Sequence, residues 1–328
     1  MNEEKQTILA RLKNNLVQSN EITMVIFLII FGLIVYSINR DFLTFGNILN
    51  VIRASVFYFL LGIGVTYVII SGELDLSVGS MLGFSGLISA LLIQKGIPVA
   101  VAVILAILGT IFAGWIIGLL VTRLKIPSLV VTLGMLYSIR GIGLILTEGN
   151  TVAGMPDSFK KISQTDLFGR IPIVIIYALI LGIISHVILT YTKLGSHVRG
   201  VGGNKIAAEA VGIDVRWIKT IAFIISGFCA GLTGVLMASR ISVGTPSAGT
   251  GYELYAISAV IIGGTSLFGG IGSIAGTLLG ALFLSVLVNG MLLIHVSPYW
   301  QGFVIGLVMI AAVGLDQYRR SIIWKVRS

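Results

Sequence analysis

The feature that most constrains this chain is a succession of apolar runs, each about as long as a membrane-crossing helix. A hydrocarbon core of about 30 Å takes roughly 20 helical residues. Hydrophobic residues make up 56% of the 328 and charged residues only 11%, whereas charged residues make up about 25% of an ordinary soluble domain. The 41 glycines agree with this, since glycine is common in membrane helices. The sequence therefore predicts an all-α polytopic membrane protein.

Applying that length divides the chain into about ten predicted transmembrane helices. They cover approximately 22–39, 54–71, 77–94, 98–121, 127–147, 171–191, 217–238, 253–268, 272–294 and 299–316. The first run lacks a small-residue cleavage site, so we interpret it as a retained span and not as a signal peptide. The predicted domains are a cytoplasmic N-terminal segment (1–21), a transmembrane domain (22–317, with a cytoplasmic loop at 192–216) and a cytoplasmic tail (318–328).

Basic residues predict the orientation. Most of the 22 lysines and arginines lie in the N-terminal segment, the turn after the fourth span, the 192–216 loop and the tail. With ten spans these four segments share one side, and basic loops are typically cytoplasmic. We therefore expect both termini in the cytoplasm of a multi-pass protein of the inner (cytoplasmic) membrane. The same topology explains the net charge of +9 without a nucleic-acid partner.

A weak similarity between two short motifs suggests an internal repeat. Ser71-Gly72-Glu73-Leu74 precedes the third span, and Gly251-Tyr252-Glu253-Leu254 precedes the eighth. Five spans separate the two motifs, so they would face opposite sides of the membrane. An inverted 5+5 repeat produces that arrangement and places substrate sites near the midplane.

The sequence lacks the usual signs of an enzyme or a metal site. Cys229 is a lone cysteine in an apolar run, and the three histidines are scattered, so neither a metal site nor a catalytic residue is predicted. No glycine run ends in the Gly-Lys-Ser/Thr of a phosphate loop. Gly272, Gly276 and Gly280 instead recur every four residues, which is typical of close helix packing.

The cytoplasmic loop at 192–216, the inner loop, contains a short predicted helix. Asn204 is a suitable N-cap for the residues that follow, and Gly212 is a suitable stop. On physical grounds, a plain interfacial helix and a docking surface for another protein are equal alternatives.

A resemblance to a known family decides between them. Gly72–Ser80, Gly249–Leu254, Gly263–Leu267 and Asn289-Gly290, together with the inner loop, resemble the signatures of ribose-type permeases, the membrane subunits of ATP-binding-cassette importers for monosaccharides. The similarity runs from about residue 45 to 317. One departure is Tyr255, where that family commonly has an acidic residue, so any role of that acid is in doubt in this chain.

The resemblance implies a non-enzymatic permease subunit that translocates a pentose-like or related neutral sugar. ATP would be used by partner ATPase subunits, and the chain itself would need no cofactor or metal. The other implied partners are a second permease chain, identical or similar, an extracytoplasmic sugar-binding protein and membrane lipid. The implied ATPase-coupling residues are Gly203, Asn204, Ala207, Ala208, Glu209, Gly212 and Ile213.

Several polar residues lie in or beside apolar runs, where a charge costs about 2.5–3.5 kcal/mol on insertion scales. Either they line the substrate pathway or they brace the fold by pairing, as Arg140 would with an acid, or by capping, as Asp75 would. The candidates are Glu73, Asp75, Ser77, Arg140, Glu253 and Asn289.

Two alternative functions stay open. A branched-chain amino-acid permease shares the architecture of the sugar permeases. A proton-coupled secondary transporter would use Glu73, Asp75 or Glu253 as proton carriers, because membrane carboxylates commonly serve that role.

Overall fold

The computed structural model describes residues 20–327, apart from 168 and 170. A long loop at 148–172, the outer loop, divides the chain. The helices before it are α1 (Asn20–Ile38), a 3-10 turn (Arg40–Leu43), α2 (Phe45–Ile70), α3 (Val78–Gln94), α4 (Val99–Thr122) and α5 (Ser128–Thr147). The outer loop holds α6 (Asp157–Gln164) and the hairpin of β1 (Asp166–Leu167) and β2 (Ile171–Pro172). There follow α7 (Ile173–Tyr191), α8 (Lys193–Gly203), α9 (Lys205–Ala210), α10 (Val215–Ile241), α11 (Tyr252–Ile262), α12 (Ile274–Leu293) and α13 (Pro298–Arg327).

Six of these helices are long and apolar enough to cross a membrane: α2, α4, α5, α7, α10 and α12. This shows a polytopic membrane protein of the all-helical class. Four further helices, α1, α3, α11 and α13, contain shorter apolar stretches. Each coincides with one of the predicted spans, but the count of ten spans stays a prediction.

The observed helix ends differ from the predicted ones at two instructive places. The second span was placed at 54–71, yet α2 begins at Phe45, because polar residues such as Asn47 and Arg53 lower the hydropathy of a stretch that is still helical. The eighth was placed at 253–268, yet α11 ends at Ile262. Gly263 and Gly264 follow, and Gly264 has a φ of 89°, which ends a right-handed helix.

The core of the molecule is built on α2 and α10. In each, 67% of the most apolar window is buried, against 22–28% in α4, α5 and α7. Gly64 of α2 lies against Ser226 of α10, and Gly227 lies against Thr110 of α4, so closely that a Cβ would meet backbone atoms. Small residues thus let α10 pack against both neighbours, as in other membrane bundles.

Residues 242–251, the connector, join α10 to α11 and run back into the bundle. Gly244 lies beside Ala90, near the end of α3, whereas Gly249 lies beside Gly79 in the first turn of α3. The connector is therefore antiparallel to α3, and α11 begins beside the start of that helix, inside the bundle. Discontinuous helices of this kind form the substrate sites of several transporters.

The inner and outer loops contain structure that the sequence did not predict. In the outer loop, α6 lies over the end of α10, where Ser163 donates from its backbone N to Ser239 Oγ (3.1 Å) and from its Oγ to the Leu236 carbonyl (2.7 Å). In the inner loop, α8 precedes the predicted short helix in spite of its glycines.

The two similar motifs of the predicted repeat lie at different ends of their helices. Ser71 and Gly72 end α2, whereas Gly251 and Tyr252 begin α11. The predicted N-terminal segment (1–21), with Lys5, Arg11 and Lys13, lies outside the described residues as far as residue 19. At the other end, α13 continues through most of the predicted tail. The repeat and the sidedness of the termini stay predictions.

Candidate functional site

Asp75 lies in a fully buried hydrogen-bonded node between α2 and α3. Its Oδ1 accepts from Ser77 N (2.9 Å) and Ser77 Oγ (2.5 Å), and its Oδ2 accepts from Ser226 Oγ (2.7 Å) on α10. Burial raises the pKa of the Asp75 carboxyl above its ordinary value, while these hydrogen bonds lower it. The side chain therefore ties the start of α3 to α10 and has no contact with solvent.

Glu73 forms an ion pair with Lys219 of α10, and both side chains are only 15% exposed. Lys219 lies three residues after the 192–216 loop, whose basic residues predict the cytoplasmic side. The pair thus ties the end of α2 to the beginning of α10.

Arg140 of α5 binds the connector. Its Nη1 donates to the carbonyls of Pro246 (3.1 Å) and Ala248 (2.9 Å) and to Thr250 Oγ1 (2.8 Å). No carboxylate of the described residues lies within ion-pair distance of Arg140, but the charge of Glu253 acts on it without direct contact. The direct partners are oxygens of the connector, and pairing of Arg140 with an acid stays a prediction.

Glu253 lies in the first turn of α11, where the connector ends. Its Oε2 is buried, has no hydrogen-bond partner among the described residues, and points to Gly79, where a Cβ would overlap it. The glycine of α3 thus makes room for a carboxylate inside the bundle.

Asn289 of α12 pairs with Asn47 of α2. Each amide donates to the other's Oδ1, at 2.9 and 2.8 Å, and Asn47 also donates to the Phe42 carbonyl. Two mutually satisfied amides between helices brace the bundle, as expected of polar residues within membrane helices.

The inner loop has the capping that its sequence predicts. Asn204 Oδ1 accepts from Ala207 N (3.0 Å) at the start of α9, and Gly212 follows the helix with a φ of 82°. Ala208 is buried against the bundle, while Ala207 and Glu209 are exposed. Ile206 and Val211 are 80% and 76% exposed; they flank the predicted coupling residues but were not among them.

The end of α8 packs backbone to backbone on the bundle. Gly202 lies against the Ile70 carbonyl at the end of α2, and Gly203 lies against Gly270. Gly270 N in turn donates to the same Ile70 carbonyl (2.8 Å). Glycines at this three-way contact join α8, α2 and the loop that leads into α12.

The glycine stripe around α12 also lies in close contacts. Gly276 lies against Gly263, Gly280 lies against Ala259 of α11, and Gly272 lies against Thr265. A side chain at these positions would separate α12 from α11.

Sequence reasoning missed an aromatic niche beside the connector. Tyr58 of α2 stacks on Tyr255 of α11 (5.0 Å between centroids, 8° between planes) and lies 5.5 Å from Tyr252. Arg240 lies over the Phe57 ring. Together with Ser247 and other residues, Phe57, Tyr58, Arg240 and Tyr252 line a half-open cavity of about 350 Å³. The signal in the sequence that could have pointed to this niche is Tyr255, which stands where ribose-type permeases commonly have an acidic residue.

Comparison with known proteins gives concordant results. The family described as the permease component of branched-chain amino acid transport systems matches residues 47–313. The ribose import permease of Haemophilus influenzae is 37% identical over 89% of this chain and 91% of its own. The D-allose transport system permease of Escherichia coli is 38% identical over 84% and 85%.

The autoinducer 2 import system permease of Photorhabdus luminescens is 35% identical over 95% of this chain and 94% of its own. No solved structure matches the chain. Because the family match covers residues 47–313 and these relatives are 35–38% identical over 84–95% of the chain, the chain belongs to the family of branched-chain amino acid transport system permease components.

Proposed function

We propose that the chain is the membrane permease of an ATP-driven importer and that it translocates a monosaccharide or a related neutral sugar. The printed substrates of the similar relatives, ribose and D-allose, support a sugar. The family description names branched-chain amino acids, which are the second candidate. The partners would be ATPase subunits, a second permease chain and an extracytoplasmic binding protein.

The observation that carries this proposal is the exposed apolar face of α9. Ile206, Ala207 and Ala210 are exposed on this helix of only six residues, and Val211 is exposed directly after it, in a loop whose basic residues predict the cytoplasmic side. Exposed apolar residues grouped on one small element favour a protein partner. We infer that the ATPase binds here.

Movement of α9 would reach the bundle through the glycine contacts at the end of α8. Gly202 and Gly203 lie directly on the end of α2 and on Gly270, without side chains between them. Displacement of the bound ATPase would therefore shift α2 and the loop before α12 together.

Exchange of the exposed apolar residues tests the docking surface. Ile206→Asp with Val211→Asp introduces two charges where an apolar contact is proposed, and we expect about tenfold less ATPase to copurify. Ile171→Asp changes another exposed isoleucine, 44% exposed in β2, and should leave copurification unchanged. Undiminished ATPase binding by the double variant would exclude α9 as the docking element.

For the pathway, we infer that the aromatic niche contacts the sugar and that most of the predicted polar residues brace the fold. Glu73, Asp75, Ser77 and Asn289 are occupied by protein partners. Tyrosine rings offer an apolar face and a hydroxyl edge, and the cavity volume lies within the range of ligand clefts. Arg140 would hold the connector that forms one wall, and Glu253 would lie behind it.

Replacement of a niche tyrosine tests this assignment. In Tyr252→Leu a ring that lines the cavity is lost, and we expect uptake of the transported sugar to fall about tenfold while the assembly with the ATPase persists. Tyr299→Leu, at a tyrosine that is 94% exposed, is the matched control. Wild-type uptake by Tyr252→Leu would remove the niche from the pathway.

A further inference from the structure

A second cavity lies at the end of the molecule where α4 stops and α10 starts. This crevice has a volume of about 570 Å³ and is lined by Trp115, Thr122, Arg123, Arg216 and Trp217, among others. Its floor is fixed, because Gly118 packs on Thr220 and the hydroxyls of Thr122 and Thr220 lie 3.3 Å apart. It is separate from the aromatic niche and from α9, so the proposed function leaves it without a role.

The crevice carries a net positive charge, since two arginines and one aspartate line it. Arg123 and Arg216 are exposed, and neither guanidinium group has a hydrogen bond or an ion pair within the part of the chain that the structure describes. The one acidic residue of the lining, Asp214, is engaged at the start of α10, where it accepts from Trp217 N (3.0 Å). Two arginines with their donors free can bind an anionic oxygen group such as a phosphate.

Apolar side chains lead from the bilayer-facing part of α4 into this crevice. Ile104, Leu108, Phe112 and Trp115 follow one another at helical spacing and are 57%, 50%, 58% and 39% exposed. Arg123 directly follows the last residue of α4, about two turns beyond Trp115. The order along α4 is thus aliphatic, aromatic, basic, which is the order of hydrocarbon, interface and headgroup in a lipid leaflet.

We propose that this crevice binds an anionic phospholipid, with the phosphate between Arg123 and Arg216 and one acyl chain along the exposed side chains of α4. Trp115 and Trp217, which is 55% exposed, would lie at the level of the glycerol backbone, where amphipathic rings are favoured. A soluble phosphate would use the arginines alone and leave the apolar side chains of α4 without a function. By the proposed sidedness the lipid belongs to the cytoplasmic leaflet.

Native mass spectrometry of the full-length chain, purified from membranes in its assembled state, tests the proposal. Dioleoylphosphatidylglycerol and dioleoylphosphatidylcholine have the same acyl chains and differ in headgroup charge. We expect the wild type to bind the anionic lipid preferentially and Arg123→Gln with Arg216→Gln to bind it about thirtyfold more weakly. Arg123→Lys with Arg216→Lys keeps the charge and should retain most of the binding, which separates loss of the site from failure to fold.

Lys125→Gln is the matched control. It removes a positive charge two residues from Arg123, at an exposed residue outside the crevice lining, and should leave lipid binding unchanged. Equal weakening by Lys125→Gln would show a diffuse attraction and overturn the site, as would undiminished binding by the double glutamine variant. Displacement of the lipid by inorganic phosphate alone would identify a soluble anion as the occupant and overturn the lipid assignment.

Discussion

At the scale of single residues, buried polar groups hold the helices of this bundle together. The two oxygens of Asp75 accept three hydrogen bonds from Ser77 and Ser226, and the amides of Asn47 and Asn289 satisfy one another. In a setting without water, each such group needs a protein partner. Their positions therefore follow from the packing of α2, α3, α10 and α12.

Removal of the Asp75 acceptors should destabilise the protein more than removal of one donor. Asp75→Ala leaves three donors without their partner, which should cost several kcal/mol, whereas Ser226→Ala removes one hydrogen bond, which should cost about 1 kcal/mol. Thermal unfolding in detergent compares the two. Equal and small shifts would contradict the bracing role of Asp75.

A double-mutant cycle tests the asparagine pair. Asn47→Ala and Asn289→Ala should each lower stability, and the double variant should lose less than their sum, by about 0.6–1.7 kcal/mol as measured for hydrogen bonds between membrane helices. Asn39→Ala with Asn289→Ala is the control pair, since Asn39 donates to the Leu293 carbonyl and not to Asn289. Strict additivity in the Asn47–Asn289 cycle would show that the amides do not interact.

At the scale of elements, the sequence predicts helices well and their partners poorly. Hydropathy predicts the fourth span at 98–121, and α4 covers Val99–Thr122, because the length of an uninterrupted apolar run is the length of the helix that spans the membrane. The course of the connector follows from contacts with α3 and α5, which no local pattern records. Arg140 is an example, since its hydrogen bonds go to carbonyls more than a hundred positions away along the chain.

The contact between α11 and α12 depends on the absence of side chains. In Gly280→Ala the added Cβ would overlap the Ala259 carbonyl, and overpacking of this kind costs about 1–3 kcal/mol. Gly46→Ala, with nothing within 4 Å of the added Cβ, should be neutral or slightly stabilising because alanine favours the helix. The yield of folded protein in detergent and its melting temperature report both effects; equal behaviour of the two variants would contradict close packing at Gly280.

At the scale of the whole molecule, the proposed mechanism requires α9 and the outer loop to lie on opposite sides of the membrane. The chain is well suited to a labelling test, because its single cysteine, Cys229, is 1% exposed. We expect a membrane-impermeant maleimide to label Lys205→Cys only from the cytoplasmic side and Ser158→Cys, in α6, only from outside. Labelling of both from one side would contradict the proposed topology.

The source of energy is what separates an ATP-driven importer from a proton-coupled carrier. In the second case Glu73, Asp75 or Glu253 would carry protons. Asp75 and Glu73 are engaged with Ser77, Ser226 and Lys219, which leaves Glu253, with its buried Oε2, as the carboxylate that such a carrier would use. The apolar face of α9 would also have no use in a carrier that works alone.

Uptake into proteoliposomes that contain the chain, its ATPase and the binding protein tests this claim most directly. With ATP on the ATPase side, the sugar that the binding protein delivers should accumulate whether or not a proton gradient is present, leucine should not compete, and uptake should stop when ATP is omitted. Accumulation that needs the proton gradient and proceeds without ATP would contradict the account.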